Sequence, residues 1–433
     1  MATALAALVL LPVLPAGTAH AADHAAPDAG KASTRADKVP GGFASWQDLM
    51  TEQDKLDKAA DRILEATRAD KDSGYAGVRV SAEKRELSLY WRGVKPRPVE
   101  DLVKALGSSV RIVELQAPYS RATLQAEVDR VLKDGDPAVA EKGTVVSAGP
   151  REDGTGVSIS VDPGPRKASL AAADTPLGTV TSSTGIPALV ERGEKATSLG
   201  RSEGQAFAGA YMRSDSLQAR CSTSYTIDVG DRMASALYQL TAAHCVSGVD
   251  DGVRSVSGGW YGSVKYYDKF SDIAVIAASS PGFFQNWLWM GTWSGDSRPQ
   301  SRTSMVGSAQ SHPGDFVCSS GAASGDICNI QVVATDRTVY TEDSGTHGPM
   351  VQAQQLTANT SAGGQGDSGG PVLTITNFGT TARGVISSGR VNVPCTGYQN
   401  RICYSTLFYS DISSALSIVR GLAQSPWATV YTG

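Results

Sequence analysis

The apolar positions of this chain alternate between helical and strand periods up to about residue 165 and fall into short β-prone runs beyond residue 200. At Trp46, Leu49, Met50, Leu56, Ile63 and Leu64 they fall on one face of a helix. Two alternating runs follow, Tyr75 to Val80 and Glu86 to Trp91, with a polar turn between them, and they predict paired strands. Next come a helix opened by Pro98 over Val99 to Leu106, a strand over Val110 to Leu115 and a helix from Ser120 to Leu132. Thr144 to Ala148 and Val157 to Val161 predict another strand pair, joined through Asp153-Gly154. Residues 45–165 thus read as a small α/β module. Beyond residue 200 the helical period gives way to short β-prone runs among Gly, Ser and Thr. That pattern predicts an all-β domain over residues 201–433, its first strand at Phe207 to Tyr211.

The stretch between the two parts carries Pro163, Gly164, Pro165, Pro176, Gly178 and Pro187. Residues 166–200 read as a linker with at most one short strand, Ala188 to Val190. At the other end, Ala4 to Leu14 is apolar and Ala19-His20-Ala21 is a small-x-small site, so residues 1–22 fit a signal peptide. No Lys or Arg precedes the apolar stretch, which departs from the usual pattern. No stretch approaches the ~20 apolar residues of a membrane span. Residues 23–44, rich in Ala, Asp, Gly and Lys, are expected to be disordered.

Composition sharpens the division. The first 200 residues carry 52 charged side chains and the remaining 233 carry 30, so the second part is far less charged. A net charge of −4 points to neither nucleic acid nor anionic membrane. All 6 cysteines lie after residue 220. An even count in an exported chain favours disulfides, and Cys318 with Cys328 and Cys395 with Cys403 are near enough to close small loops. No Cys-x-x-Cys or His cluster suggests zinc, and Asp250, Asp251 and Asp268 form no calcium-loop signature.

Three short segments carry the chemistry. Gly366-Asp367-Ser368-Gly369-Gly370-Pro371 sets a serine in a glycine-rich turn, where the amides of Gly366 and Ser368 can point at one spot. The apolar strand Ala236 to Leu240 ends in Thr241-Ala242-Ala243-His244-Cys245 and delivers His244 at its tip. Asp272 precedes the apolar run Ile273 to Ala277, where a carboxylate is costly unless paired. A serine hydroxyl needs a base, and the base needs a third group to orient it. Ser368, His244 and Asp272 are the candidates for those parts.

These segments resemble the chymotrypsin-like serine proteases, in the bacterial secreted branch of streptogrisins and alpha-lytic protease. Cys318 to Cys328 resembles that branch's disulfide loop, Gly384-Val385-Ile386-Ser387-Ser388-Gly389 its substrate-pairing strand, and the segment from Asp411 its C-terminal helix. The resemblance covers roughly residues 200–433. It implies two antiparallel β-barrels with the site in the cleft between them, a Cys221–Cys245 disulfide, and an N-terminal module acting as a pro-region. It also implies a substrate site at Ala362, Gly363, Ser387, Ser388 and Gly389. Ala362 and Gly363 at the pocket base carry no charge, and Ile386 and Ser387 stand where glutamate-specific relatives have a histidine. An uncharged, apolar P1 residue is therefore expected, with Gly389 leaving one wall open and Arg390 and Arg401 near the rim. Ser387 is expected to accept a hydrogen bond near Asp272.

The expected function is a secreted serine endopeptidase made as a zymogen and cut near residue 200. The alternatives are an esterase and a catalytically silent binding protein on the same fold. The chemistry requires no cofactor. The expected partners are a peptide or protein substrate and the chain's own pro-region in cis, with no nucleic acid or membrane and a monomeric state.

Overall fold

In the computed structural model, the described residues are 39–68, 73–162, 176–192, 197–198, 207–230, 235–255, 258–278, 283–291, 301–377, 379–398 and 401–433. The expected signal peptide and most of the expected disordered segment lie outside them.

The N-terminal module is built as its periodicity predicts. The helix Trp46–Arg68 starts at Ser45, whose hydroxyl accepts from the Asp48 amide at 3.1 Å. Its Leu56, Ala60 and Ile63 pack on Val78, Val80, Leu87 and Leu89 of the strands Tyr75–Ser81 and Glu86–Trp91. The helices Arg97–Leu106 and Arg121–Asp134 and the strand Arg111–Gln116 complete this layer. Thr144–Pro150 and Val157–Asp162 pair antiparallel.

The region read as a linker holds more structure than expected. Pro176–Thr181 and Pro187–Arg192 form a hairpin, and the second strand runs parallel to Val157–Asp162. Both strands open on a proline, a position where a strand tolerates the missing N–H. Punctuation that suggested a linker therefore marks strand starts.

The C-terminal part is the two-barrel, chymotrypsin-like β-architecture. One eight-stranded sheet includes Leu237–Thr241, Trp260–Asp268 and Ile273–Ala278. The second sheet includes Phe316–Gly321, Gly325–Thr341, Pro371–Thr376 and Gly379–Val393, with Cys403–Asp411 paired to the last. Among the described residues the first strand of this part is Tyr211–Ser214, later than expected, because Gly209 turns the chain at a φ of 78° just before it. The helix Ile412–Leu422 is capped by Asp411, which accepts from the Ser413 amide at 2.8 Å.

The second sheet does not stop at the module boundary. Ala148 pairs with Thr338 and Ser147 with Val339, so the module's strand Thr144–Pro150 extends the sheet. The helix Trp46–Arg68 also contributes to the C-terminal core, where Leu49 and Met50 join Phe316, Leu373 and Val385.

Candidate active site

The three sequence-predicted residues converge from separate strands. His244 follows the strand Leu237–Thr241, Asp272 immediately precedes Ile273–Ala278, and these two strands are direct antiparallel neighbours. Asp272 Oδ2 lies 2.8 Å from His244 Nδ1, and Oδ1 accepts from the His244 amide at 2.9 Å. One carboxylate thus grips both the ring and the backbone of His244. Asp272 has a φ of 53°, a left-handed conformation uncommon for a residue with a side chain. Such positions persist only where the surroundings over-determine them.

Ser387 Oγ donates to Asp272 Oδ2 at 2.6 Å. The expected polarity is therefore reversed: an ionised carboxylate can only accept, so the hydroxyl must donate. Burial alone would push the Asp272 carboxyl up. The charge and hydrogen bond of His244, the charge of His347 and the Ser387 hydroxyl outweigh it and hold Asp272 well below the usual carboxylate range. For His244, burial favours the neutral ring, but the Asp272 charge, its hydrogen bond and the Asp343 charge raise its affinity for a proton.

The serine turn is tied on both sides. Ser222 N–H donates to the Ser368 carbonyl at 2.7 Å, and Ser222 Oγ to the Gly366 carbonyl at 2.7 Å. Gly369 N–H donates to the Ile386 carbonyl at 2.7 Å. Gly369 sits at a φ of 80°, and a Cβ there would lie 2.2 Å from Thr241 Oγ1. Only glycine allows the serine turn to press against the strand end that delivers His244. Gly366 adopts a φ of 131°, again a glycine conformation. Ser368 is buried, and its hydroxyl donates to the Ser387 carbonyl at 3.3 Å. His244 Nε2 is buried without a hydrogen-bond partner among the described residues. Catalytic hydrogen bonds of this kind often close only when substrate arrives.

The expected pocket residues are also brought together. Ala362 N–H donates to the Tyr404 carbonyl at 2.7 Å, and Gly363 pairs with Tyr404. Gly389 does not leave the wall open as expected: a Cβ there would lie 2.9 Å from Tyr404, which packs against it. Arg390 and Arg401 are not at a rim. Arg390 is buried, its guanidinium 5.3 Å from the Phe408 ring centre, and the Arg401 side chain is 3 % exposed. Asp367, whose carboxylate turns inward, accepts from the amides of Gly364, Ala323 and Ser324. Sequence reading also missed Asp343 and His347, on the hairpin Gly325–Gln355, because nothing local links them to His244 and Asp272.

Three disulfides form, Cys221–Cys245, Cys318–Cys328 and Cys395–Cys403. Cys221 and Cys245 lie beside His244 but are bonded to each other, which removes them as metal ligands.

Residues 230–409 match the Trypsin family. No curated protein matches the chain. Among solved structures, a Nocardiopsis protease is 21% identical, covering 53% of this chain and 100% of its own, with a TM-score of 0.38. A glutamic acid specific serine protease is 21% identical over 52% of this chain and 100% of its own, with a TM-score of 0.36. The active form of the Rv3671c protease from M. tuberculosis is 15% identical over 53% of this chain and 85% of its own, at a TM-score of 0.29. With that match lying on the segments that bring Ser368, His244 and Asp272 together, residues 230–409 are a Trypsin-family domain of the chymotrypsin-like serine protease kind.

Proposed function

We propose that the protein is a secreted serine endopeptidase made as a zymogen. Residues 45–165 and the hairpin after them act as its pro-region. His244 takes the Ser368 proton as the hydroxyl attacks the scissile carbonyl, and Asp272 orients the ring and stabilises its charged form. The amides of Gly366 and Ser368 hold the oxyanion. His244 then protonates the leaving amine, and water releases the acyl group from Ser368 by the same steps in reverse roles. The three disulfides suit an oxidising, extracellular setting.

The observation that carries this reading is a peptide strand already seated where a substrate would lie. Thr197–Ser198 pairs antiparallel with the strand beside the site, Thr197 opposite Gly389 and Ser198 opposite Ser388. Strand addition of this kind recognises an extended peptide, which favours peptide over simple ester substrates. A chain that pairs here just before residue 200 agrees with a cut near residue 200.

The test is N-terminal sequencing and intact mass of the secreted protein, wild type beside Ser368→Ala. The wild type should begin near residue 200, and the variant should remain uncut, with turnover lowered by about 10⁶-fold. Normal processing of Ser368→Ala would assign the cut to another protease. Hydrolysis of small esters without any peptide cleavage would overturn the endopeptidase reading.

A further inference from the structure

Arg401 was expected at the rim of the pocket, yet it lies beneath the serine turn. Its Nη1 is 3.2 Å from Asp367 Oδ2 and donates to the Gln365 carbonyl at 2.9 Å. Nη2 donates to Ser324 Oγ and to the Thr396 carbonyl, each at 2.6 Å, and Nε to the Tyr398 carbonyl at 2.7 Å. A Cβ on Gly364 would lie 2.8 Å from Arg401 Nη1 and 2.3 Å from Cys403 Sγ, so the guanidinium is seated directly against this backbone. The Cys395–Cys403 disulfide closes the loop that carries Arg401.

The contact with Gln365 matters for a geometric reason. The Gln365 carbonyl and the Gly366 N–H belong to one planar trans peptide unit and point in opposite directions. Holding the oxygen from beneath therefore aims the N–H to the opposite side. Gly366 has no side chain to fix that plane, and a glycine at its φ of 131° can turn it at little cost.

We propose that Arg401 is a positioning residue for the reaction. Through the Gln365 carbonyl it orients the Gly366 N–H, and through Asp367 it fixes the turn on the other side of that amide. The oxyanion hole is complete only while the guanidinium is seated. A lysine ammonium can pair with Asp367, but it has no further nitrogens to hold Ser324, Thr396 and Tyr398 at the same time, so nothing keeps it seated under the Gln365 carbonyl. The inference rests on the roles proposed above for Ser368 and Gly366.

The experiment compares wild type, Arg401→Lys, Arg401→Ala and Ser368→Ala as full-length secreted chains, with thermal unfolding to verify folding. Self-cleavage and the kcat for an amide substrate should fall about 100-fold in both Arg401 variants, with KM little changed. A peptide aldehyde, whose adduct with Ser368 bears an oxyanion, should lose affinity by the same factor, while the matching peptide carboxamide binds as before. Added guanidinium ion should restore part of the rate of Arg401→Ala. If Arg401→Ala does not fold, Arg401→Lys carries the test. A folded Arg401→Lys with wild-type kcat, or equal loss of affinity for aldehyde and carboxamide, would overturn the proposal. Full turnover by Ser368→Ala would instead sink the underlying mechanism, so the two failures are distinguishable.

Discussion

The two parts of the chain differ in where they place most of their charge. In the N-terminal module, ion pairs such as Lys55–Glu52, Lys58–Asp54 and Arg111–Glu86 each have at least one side chain largely open to water. Pairs of this kind contribute about 1 kcal/mol or less. In the protease part, charges are few, and several are deeply buried: Arg337, Arg383, Arg390, Asp272 and Asp367 are each at most 1 % exposed. A buried charge needs partners. Asp272 and Asp367 find theirs around Ser368. Arg337 and Arg383 reach into the module: Arg337 donates to Ser147 Oγ and the Ser158 carbonyl, and Arg383 pairs with Asp57. For these four residues, burial of charge marks either the chemistry or the seam with the module.

The largest way to break this pattern is at Asp57. Arg383 is held there between Asp57 and Asp315, all three buried. Asp57→Ala removes one of the two carboxylates that face the buried Arg383 and should destabilise the chain by about 3 kcal/mol. The denaturation midpoint of the full-length Ser368→Ala chain, with and without the Asp57 change, measures it. Replacing the pair together, Asp57→Leu with Arg383→Met, should recover most of the loss, because well-packed apolar groups often replace a buried ion pair without cost. Burial already pushes the Asp315 carboxyl well above its ordinary range, so it can stay neutral when Arg383 is gone. A double variant no better than Asp57→Ala would show that shape, not charge, holds this seam.

A smaller break comes from pH. His312 in the protease part lies 3.0 Å from Asp61 of the module helix. Burial favours the neutral ring, but the Asp61 hydrogen bond and the charges of Asp315, Asp57 and Asp61 raise the His312 pKa to about 9. A raised folded-state value means the contribution is full below the ordinary histidine pKa near 6.5 and is lost as pH rises through about 9. The uncut Ser368→Ala chain should therefore lose up to about 3 kcal/mol between pH 6.5 and 9.5 relative to the same chain carrying His312→Gln. Parallel stability profiles for the two would rule out a charged His312 at the seam.

The contrast between the parts also explains what the sequence could reveal. Ser368, His244 and Asp272 were legible because each sits in a short contiguous segment whose neighbours shape its turn or strand. The module's helices and strands were legible from period alone. The joined sheet was not, because Ala148 meets Thr338 across a sequence distance that periodicity cannot bridge. Arg401 was misplaced for the same reason: its partner Asp367 lies 34 positions away and neither residue carries a local mark of the pairing. Arg337 and Arg383, in strands of the second sheet, look from sequence like ordinary polar positions on a β-strand. Only the partner surface makes them interior.

The smallest effect tests how far the module-like use of exposed charge extends into the site. Asp343, at the exposed tip of the hairpin Gly325–Gln355, raises the His244 pKa by its charge, after the larger opposing effect of burial and the larger support of Asp272. His244 must be neutral to act as base, so the acidic limb of kcat/KM follows its pKa in the free enzyme. Asp343→Asn removes one raising influence and leaves Asp272 in place. The limb should move to lower pH while the plateau at higher pH stays unchanged. Because Asp343 is exposed, salt screens it, and the difference between variant and wild type should shrink as ionic strength rises toward about 1 M. A limb that does not move at low salt would mean that His244 is governed by Asp272 alone, and that the site is insulated from the charge at its edge.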